Sequence, residues 1–140
     1  MDKQALIDAL NEDLANEYAA IIQYIQYAAK VRGIWRTELR SFFQAEIPDE
    51  QLHAQYLADK IAAMGGEPTT HPAPVRHANT AEDMLRAVMD AENDAIARYT
   101  LRVKQADELG EVALRVQLEN FIADEQNHAQ EVQQILADWR

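Results

Sequence analysis

The sequence predicts an all-α fold: one domain, residues 1–140, built as a four-helix bundle with a single long crossover between helices 2 and 3. Three observations carry that prediction. Glycine and proline are scarce, four of each in 140 residues, while the good helix formers Ala, Leu, Glu and Gln are abundant. Apolar residues recur at alternating steps of three and four in four long segments, the spacing that gathers them on one helix face. The chain also repeats itself at an offset of 75 residues: Leu10 with Leu85, Ala20 with Ala95, Leu39 with Leu114, and Asp49, Glu50, Gln51, His53 with Asp124, Glu125, Gln126, His128.

The first helix is expected at about 4–32, with its buried stripe on Ile7, Leu10, Leu14, Glu17, Ile21, Tyr24, Ala28 and Val31, and Gly33 ending it. The second is expected at about 36–64, on Leu39, Phe43, Glu46, Glu50, His53, Leu57, Ile61 and Met64, stopped by Gly65, Gly66 and Pro68. Pro48 lies inside it, where the missing N–H and the ring predict a kink a turn before His53. Thr80-x-x-Asp83 has the form of a capping box, with aspartate in place of glutamate, and opens a third helix at about 80–108 on Leu85, Val88, Glu92, Ala95, Tyr99, Val103 and Ala106. Beyond Gly110 a fourth, about 111–139, uses Leu114, Leu118, Phe121, Glu125, His128, Val132, Ile135 and Trp139.

Short turns force helices 1 and 2, and helices 3 and 4, to run antiparallel. The connection at about 65–80 holds three of the four prolines, and its His71 and His77 read as exposed. Its roughly 16 extended residues reach about 50 Å, enough to return along a helix about 42 Å long.

Composition bounds the function. An apolar content of 48% suffices for one sizeable core, and the absence of cysteine rules out disulfides, thiolate zinc sites and cysteine-held iron–sulfur centres. Oxygen and imidazole remain as metal ligands. A formal net charge of −11 argues against nucleic-acid binding through phosphates and would draw cations. The opening Met1-Asp2-Lys3-Gln4 has no leader character, and no apolar run approaches the roughly 20 residues that span a bilayer, so no membrane association and a cytoplasmic location are expected.

Charge also sits where a core should be. Glu17 and Glu92 fall inside the stripes of helices 1 and 3, and Glu50-x-x-His53 and Glu125-x-x-His128 inside those of helices 2 and 4. A lone Glu-x-x-His on a helix is usually a solvated face. Two copies in register, each 33 residues after an in-stripe glutamate, are not. Burying four carboxylates around one point is prohibitive without positive charge between them. Lys60 is the one cation near these stripes, two turns beyond Glu50, so the expected neutraliser is a pair of divalent metal ions.

Glutamate and histidine three apart share a helix face, and a Glu from each of two helices plus Glu-x-x-His from each of the other two is the pattern of di-iron and di-manganese carboxylate bundles. Glu17 and Glu92 are expected as terminal ligands, Glu50 and Glu125 as bridges, and His53 and His128 as one imidazole per metal. This ligand set suits two iron ions, with manganese the alternative. Glu46, whose repeat partner is Phe121, reads as a helix-end or entry-path carboxylate. Asp49 and Asp124, one turn before the histidines, could orient the imidazoles but read rather as solvated surface. Tyr24 and Tyr99 read as core residues with bonded hydroxyls, Tyr24 being also a candidate redox residue.

On these residues the chain resembles the ferritin-like superfamily, and bacterioferritin most closely. Leu10-Asn11-Glu12 through Glu17 to Gln23-Tyr24, the Gly33-Ile34-Trp35 corner and Gly65-Gly66-Glu67-Pro68 all look bacterioferritin-like. The resemblance implies a ferroxidase centre at Glu17, Glu50, His53, Glu92, Glu125 and His128, oxidising Fe(II) with oxygen or hydrogen peroxide, for iron storage or detoxification. It also places Tyr24 beside that centre.

Three departures shape the expectation. Gln51 stands where bacterioferritins carry the haem-binding methionine, so haem is not expected. The family's short fifth helix has no counterpart after Trp139-Arg140, which favours a dimer or other small homo-oligomer over a closed shell. Ala95 replaces the extra carboxylate of rubrerythrins, which the chain also resembles. A di-iron or di-manganese peroxidase or oxidase in a small oligomer is the alternative function, and a non-enzymatic metal-carrying bundle the second.

Overall fold

A computed structural model describes residues 1–139. Four long helices are joined in the expected order: α1 (Lys3–Lys30), α2 (Arg36–Ala63), α3 (Ala81–Glu108) and α4 (Val112–Leu136). Each starts or stops for a local reason. Asp2 caps α1 by accepting from the Ala5 N–H at 2.8 Å, and Thr80 caps α3 by accepting from the Asp83 N–H at 3.1 Å. At the end of α2, Gly65 takes the left-handed conformation with φ 88°, and the Gly66 N–H reaches back to the Ile61 carbonyl at 2.9 Å. Gly110 and Glu111 close α3 in the same way. Gly66 has a packing reason as well, because a Cβ there would lie 2.6 Å from Ile7 Cγ2.

α2 runs unbroken through Pro48. α4 ends at Leu136, three residues short of the expected 139, and Asp138 there has φ 61°. Arg140 lies outside the described residues.

α1 packs mainly on α2 and α3 mainly on α4; the two hairpins meet chiefly through α1 and α3. The apolar core is divided in two by the charged layer at mid-height. One cluster, at the end of the bundle where α1 and α4 begin, holds Leu6, Leu10, Leu14, Leu57, Ile61, Leu114 and Leu118; the other, at the end where α2 and α3 begin, holds Tyr24, Tyr27, Phe43, Met84, Leu85, Val88 and Val132. At about 1.5–3 kcal/mol per buried large apolar side chain, these two clusters hold the scaffold that forces six polar residues together between them.

The crossover has no regular secondary structure but is firmly attached to α1. Asn11 accepts from the Thr69 N–H at 2.8 Å and donates to the Glu67 carbonyl at 3.0 Å. Further along, Ala73 N–H donates to the Ala15 carbonyl at 2.9 Å, the Tyr27 hydroxyl to the Arg76 carbonyl at 2.7 Å, and Lys30 Nζ to the Ala78 carbonyl at 2.9 Å. His71 and His77 are exposed in this strap. Among the described residues, no helix is long and apolar enough to cross a membrane.

Candidate metal centre

Each helix delivers its polar residues to the same height because each stripe carries them at mid-length. Glu17, Glu50, His53, Glu92, Glu125 and His128 are all buried, none above 7% exposure. His53 turns Nδ1 inward, 3.2 Å from Glu125 Oε1, 3.7 Å from Glu17 Oε1 and 4.0 Å from Glu50 Oε2. His128 Nδ1 faces Glu50 Oε1 at 3.6 Å, Glu92 Oε2 at 3.7 Å and Glu125 Oε1 at 4.0 Å. Two overlapping groups result, Glu17–Glu50–His53–Glu125 and Glu50–Glu92–Glu125–His128, each with ligand atoms within 4.8 Å of one another.

Their inward atoms are unsatisfied. Both Nδ1 atoms and one oxygen each of Glu17, Glu50, Glu92 and Glu125 are buried without a hydrogen-bond partner. A cluster of buried polar atoms without partners costs several kcal/mol unless protons or a cation complete it. The donor set, four carboxylates and two imidazoles, suits two first-row divalent ions.

The outward atoms are held, and by the opposite repeat. His53 Nε2 pairs with Asp124 Oδ2 at 2.9 Å and His128 Nε2 with Asp49 Oδ2 at 3.0 Å. The expectation that both aspartates are solvated surface is thus corrected: half-exposed as they are, each orients the histidine of the facing helix rather than the one on its own. The tyrosines cross over as well. Tyr24 on α1 donates to Glu92 Oε1 at 2.5 Å, and Tyr99 on α3 donates to Glu17 Oε1. Glu46 is likewise more than an entry-path carboxylate, since its Oε2 lies 2.6 Å from His128 Nε2 in an ion-pair contact outside hydrogen-bond geometry. At its repeat position Phe121 stacks on His53, ring centroids 4.1 Å apart.

Charge crowding shows in the titration of these groups. Burial, then the Glu17 and Glu125 charges, pushes the Glu50 carboxyl well above its usual range; burial and Glu92 do the same to Glu125. Burial pushes Glu17 up too, but contacts with Glu50 and His53 outweigh it and hold that carboxyl low. Burial opposes protonation of His53, yet Glu17 and the other carboxylates raise it to about 9. His128 is raised further, by Glu46 first among its neighbours. Burial, followed by their carboxylate partners, raises Tyr24 and Tyr99 well above the ordinary phenol value. Without metal, these shifts favour protons on Glu50, Glu125 and both histidines, where cations would otherwise sit.

Sequence reasoning missed one buried pair. Arg102 holds Asp13 through Nε at 2.7 Å and Nη2 at 2.9 Å, both residues almost fully buried, so Lys60 is not the one cation near the stripes. The signal was present: Asp13 lies four before Glu17, and Arg102 three after Tyr99, each on its helix's inner face.

The ferritin family, described as a ferritin-like domain, matches residues 7–140. The chain belongs to that family. Among curated relatives, the bacterioferritin of Mycobacterium bovis is 31% identical over 121 residues, covering 85% of this chain and 76% of its own. A Bacillus anthracis crystal structure, described as of ferritin-like, diiron-carboxylate proteins, superposes with a TM-score of 0.94 at 48% identity, over 97% of this chain and 99% of that one. The bacterioferritin of Mycobacterium tuberculosis superposes with a TM-score of 0.86 at 27% identity, over 95% of this chain and 84% of that one. The expected ferritin-like bundle and the bacterioferritin resemblance are both borne out.

Proposed function

We propose that this ferritin-family chain binds two Fe(II) ions in the buried cluster and oxidises them with dioxygen or hydrogen peroxide, as a ferroxidase serving iron storage or detoxification. The observation that supports it best is the overlap of the two ligand groups. Glu50 and Glu125 occur in both, as bridging carboxylates must, while Glu17 with His53 and Glu92 with His128 belong to one each. Iron is here the substrate, and manganese the alternative ion. Glu17 and Glu92 act as terminal ligands whose second oxygens are fixed by Tyr99 and Tyr24. Asp124 and Asp49 keep the Nδ1 atoms turned inward. Tyr24, whose hydroxyl donates to Glu92, is proposed as a redox residue that passes an electron to the centre.

Assembly into a homo-oligomer forms part of the same reading. A Bacteroides fragilis neighbour, 26% identical with a TM-score of 0.89, is described as a dodecameric thioferritin, and we extend oligomerisation, though not the number of subunits, to this chain.

Aerobic addition of Fe(II), followed by ferric absorbance, tests the reading. Oxidation well above that of Glu17→Ala supports it. Equal rates would leave a bundle that merely carries metal. Light scattering with iron counted per chain then separates storage, with far more than two irons per chain in a large assembly, from a peroxidase or oxidase that stops at two.

A further inference from the structure

The metal centre makes no use of the end of the bundle where α1 and α4 stop and α2 and α3 start, yet both tryptophans of the chain lie there. Trp35 at the head of α2, Leu39 and Phe42 within it, and Ile135 and Trp139 at the close of α4 line an open apolar groove of about 620 Å³. Beside the groove stands a knob. Gly33, at φ 106°, turns the chain between α1 and α2, and the next residue, Ile34, is 85% exposed, more than any other large apolar residue described. Ile34 does not fill the groove of its own chain, and Trp35, which borders both, is half-exposed. Single apolar residues on a surface need no explanation, but this knob and groove are contiguous, and contiguous exposed apolar surface marks an interaction site.

We propose, building on the homo-oligomer reading, that the groove receives the Ile34 corner of a second copy of this chain, and that the exchange is reciprocal. Charge complementarity selects this occupant. The knob offers a cation, exposed Arg32, because Arg36 is committed to the Ala29 and Val31 carbonyls. The edge of the groove offers anions, Glu38 and Asp138, both exposed. Seating Ile34 of one copy in the groove of the other brings Arg32 of each copy to Glu38 of the other, giving an apolar centre with a charged rim, the usual anatomy of an interface. Knob and groove share Trp35, so the two contacts of a two-fold pair lie side by side and form one continuous interface. Tryptophan at the middle and arginine at the edge are the residue types that most often carry binding energy in such contacts.

The experiment follows the full chain over a concentration series by light scattering, for assembly mass, and by tryptophan emission, which arises from this groove alone. Wild-type emission should move to shorter wavelength as the chain assembles and the groove closes. Ile34→Asp, a change at an exposed corner outside any helix, should raise the dissociation constant of that step by about tenfold or more, with helix content by circular dichroism unchanged. Arg32→Glu and Glu38→Arg should each weaken it about tenfold, because like charges then face each other across both contacts. A one-to-one mixture of those two variants should recover the wild-type constant to within about threefold, since opposite charges meet again in the mixed pair. A misfolded variant cannot give that recovery. Wild-type assembly with unchanged emission, an Ile34→Asp variant that assembles like wild type, or a mixture no better than its components would each overturn the groove assignment. Wild-type protein that stays monomeric at every concentration would instead sink the homo-oligomer reading.

Discussion

The half-site around His53 and the half-site around His128 descend from the same repeat, yet only one is sealed. His53 is closed in by Phe121, which stacks on its ring, and by Tyr99 edge-on, whereas His128 meets Glu46 at the position corresponding to Phe121. The histidine side chains are 2% and 9% exposed, and Glu46 is 12% exposed. One aromatic-for-acid exchange therefore separates a dry, rigid half from a wetter, more anionic one. The repeat supplies the Glu-x-x-His geometry twice, and the exchange of Phe121 for Glu46 makes the surroundings of the two histidines unequal.

The broadest test of that comparison removes what the halves share. Glu50→Ala should abolish binding of both ions and with it iron oxidation, whereas Glu92→Ala, which belongs to the His128 half alone, should leave one Co(II) ion per chain in the His53 half. Equilibrium dialysis counts the metal. Two ions retained in Glu50→Ala would remove Glu50 as a bridge.

Next in size comes the sealing residue. Phe121→Ala deletes a buried ring that packs on His53, Tyr56 and Tyr99, and should cost about 3–5 kcal/mol of metal-free stability in urea unfolding. Glu46→Ala removes a mostly buried carboxylate that pairs with His128 but leaves no ring-sized cavity, and should cost less than Phe121→Ala, about 1–3 kcal/mol. Similar costs for the two would mean that the halves are not packed differently after all.

Proton competition gives a third contrast. His53, raised to about 9, is protonated at neutral pH in the metal-free protein, and a metal must displace that proton. Affinity for Co(II) at the His53 half, isolated in Glu92→Ala, should climb up to about tenfold per pH unit from pH 7 and flatten near 9. His128, raised further by Glu46, should keep climbing past that point. The sign for stability is opposite: because the folded-state value lies above the ordinary 6.5, imidazolium stabilises the metal-free fold fully below pH 6.5, and that contribution fades as pH rises through 9. A thermal midpoint that falls over this window without metal, and holds with metal, would match.

Much of this was legible from residue spacing. The stripes located four helices to within a few residues, because apolar periodicity is local, and the six ligand-type residues stood out as charges in those stripes. What crosses between helices was not legible. Asp49 stands four residues before His53, so sequence distance points to a same-helix pair, but the bundle brings Asp49 to His128 instead. Tyr24 and Tyr99 exchange partners in the same manner. The strap's course along α1 depends on single bonds from Asn11 and Tyr27 that carry no periodic signal. Arg102 was hidden because Val103, its neighbour, fits the apolar stripe as well, although it is Arg102 that is buried.

The finest test of the comparison uses the crossed aspartates themselves. Among the described residues Asp124 is the one acidic partner of His53 Nε2, at 2.9 Å, and Asp124→Asn should weaken metal binding in the His53 half by about 10–100-fold, the usual cost of losing an anion behind a metal-ligating imidazole. Asp49→Asn should cost the His128 half less, because Glu46 already stands 2.6 Å from the same nitrogen and can take over the orienting contact. The double change Glu46→Gln with Asp49→Asn should restore the full loss, making the two sites alike in their dependence on one outer carboxylate. Stepwise Co(II) titrations of the single and double variants decide it. Equal losses from Asp49→Asn and Asp124→Asn would show Glu46 to be a bystander, and the asymmetry of the centre would then rest on Phe121 alone.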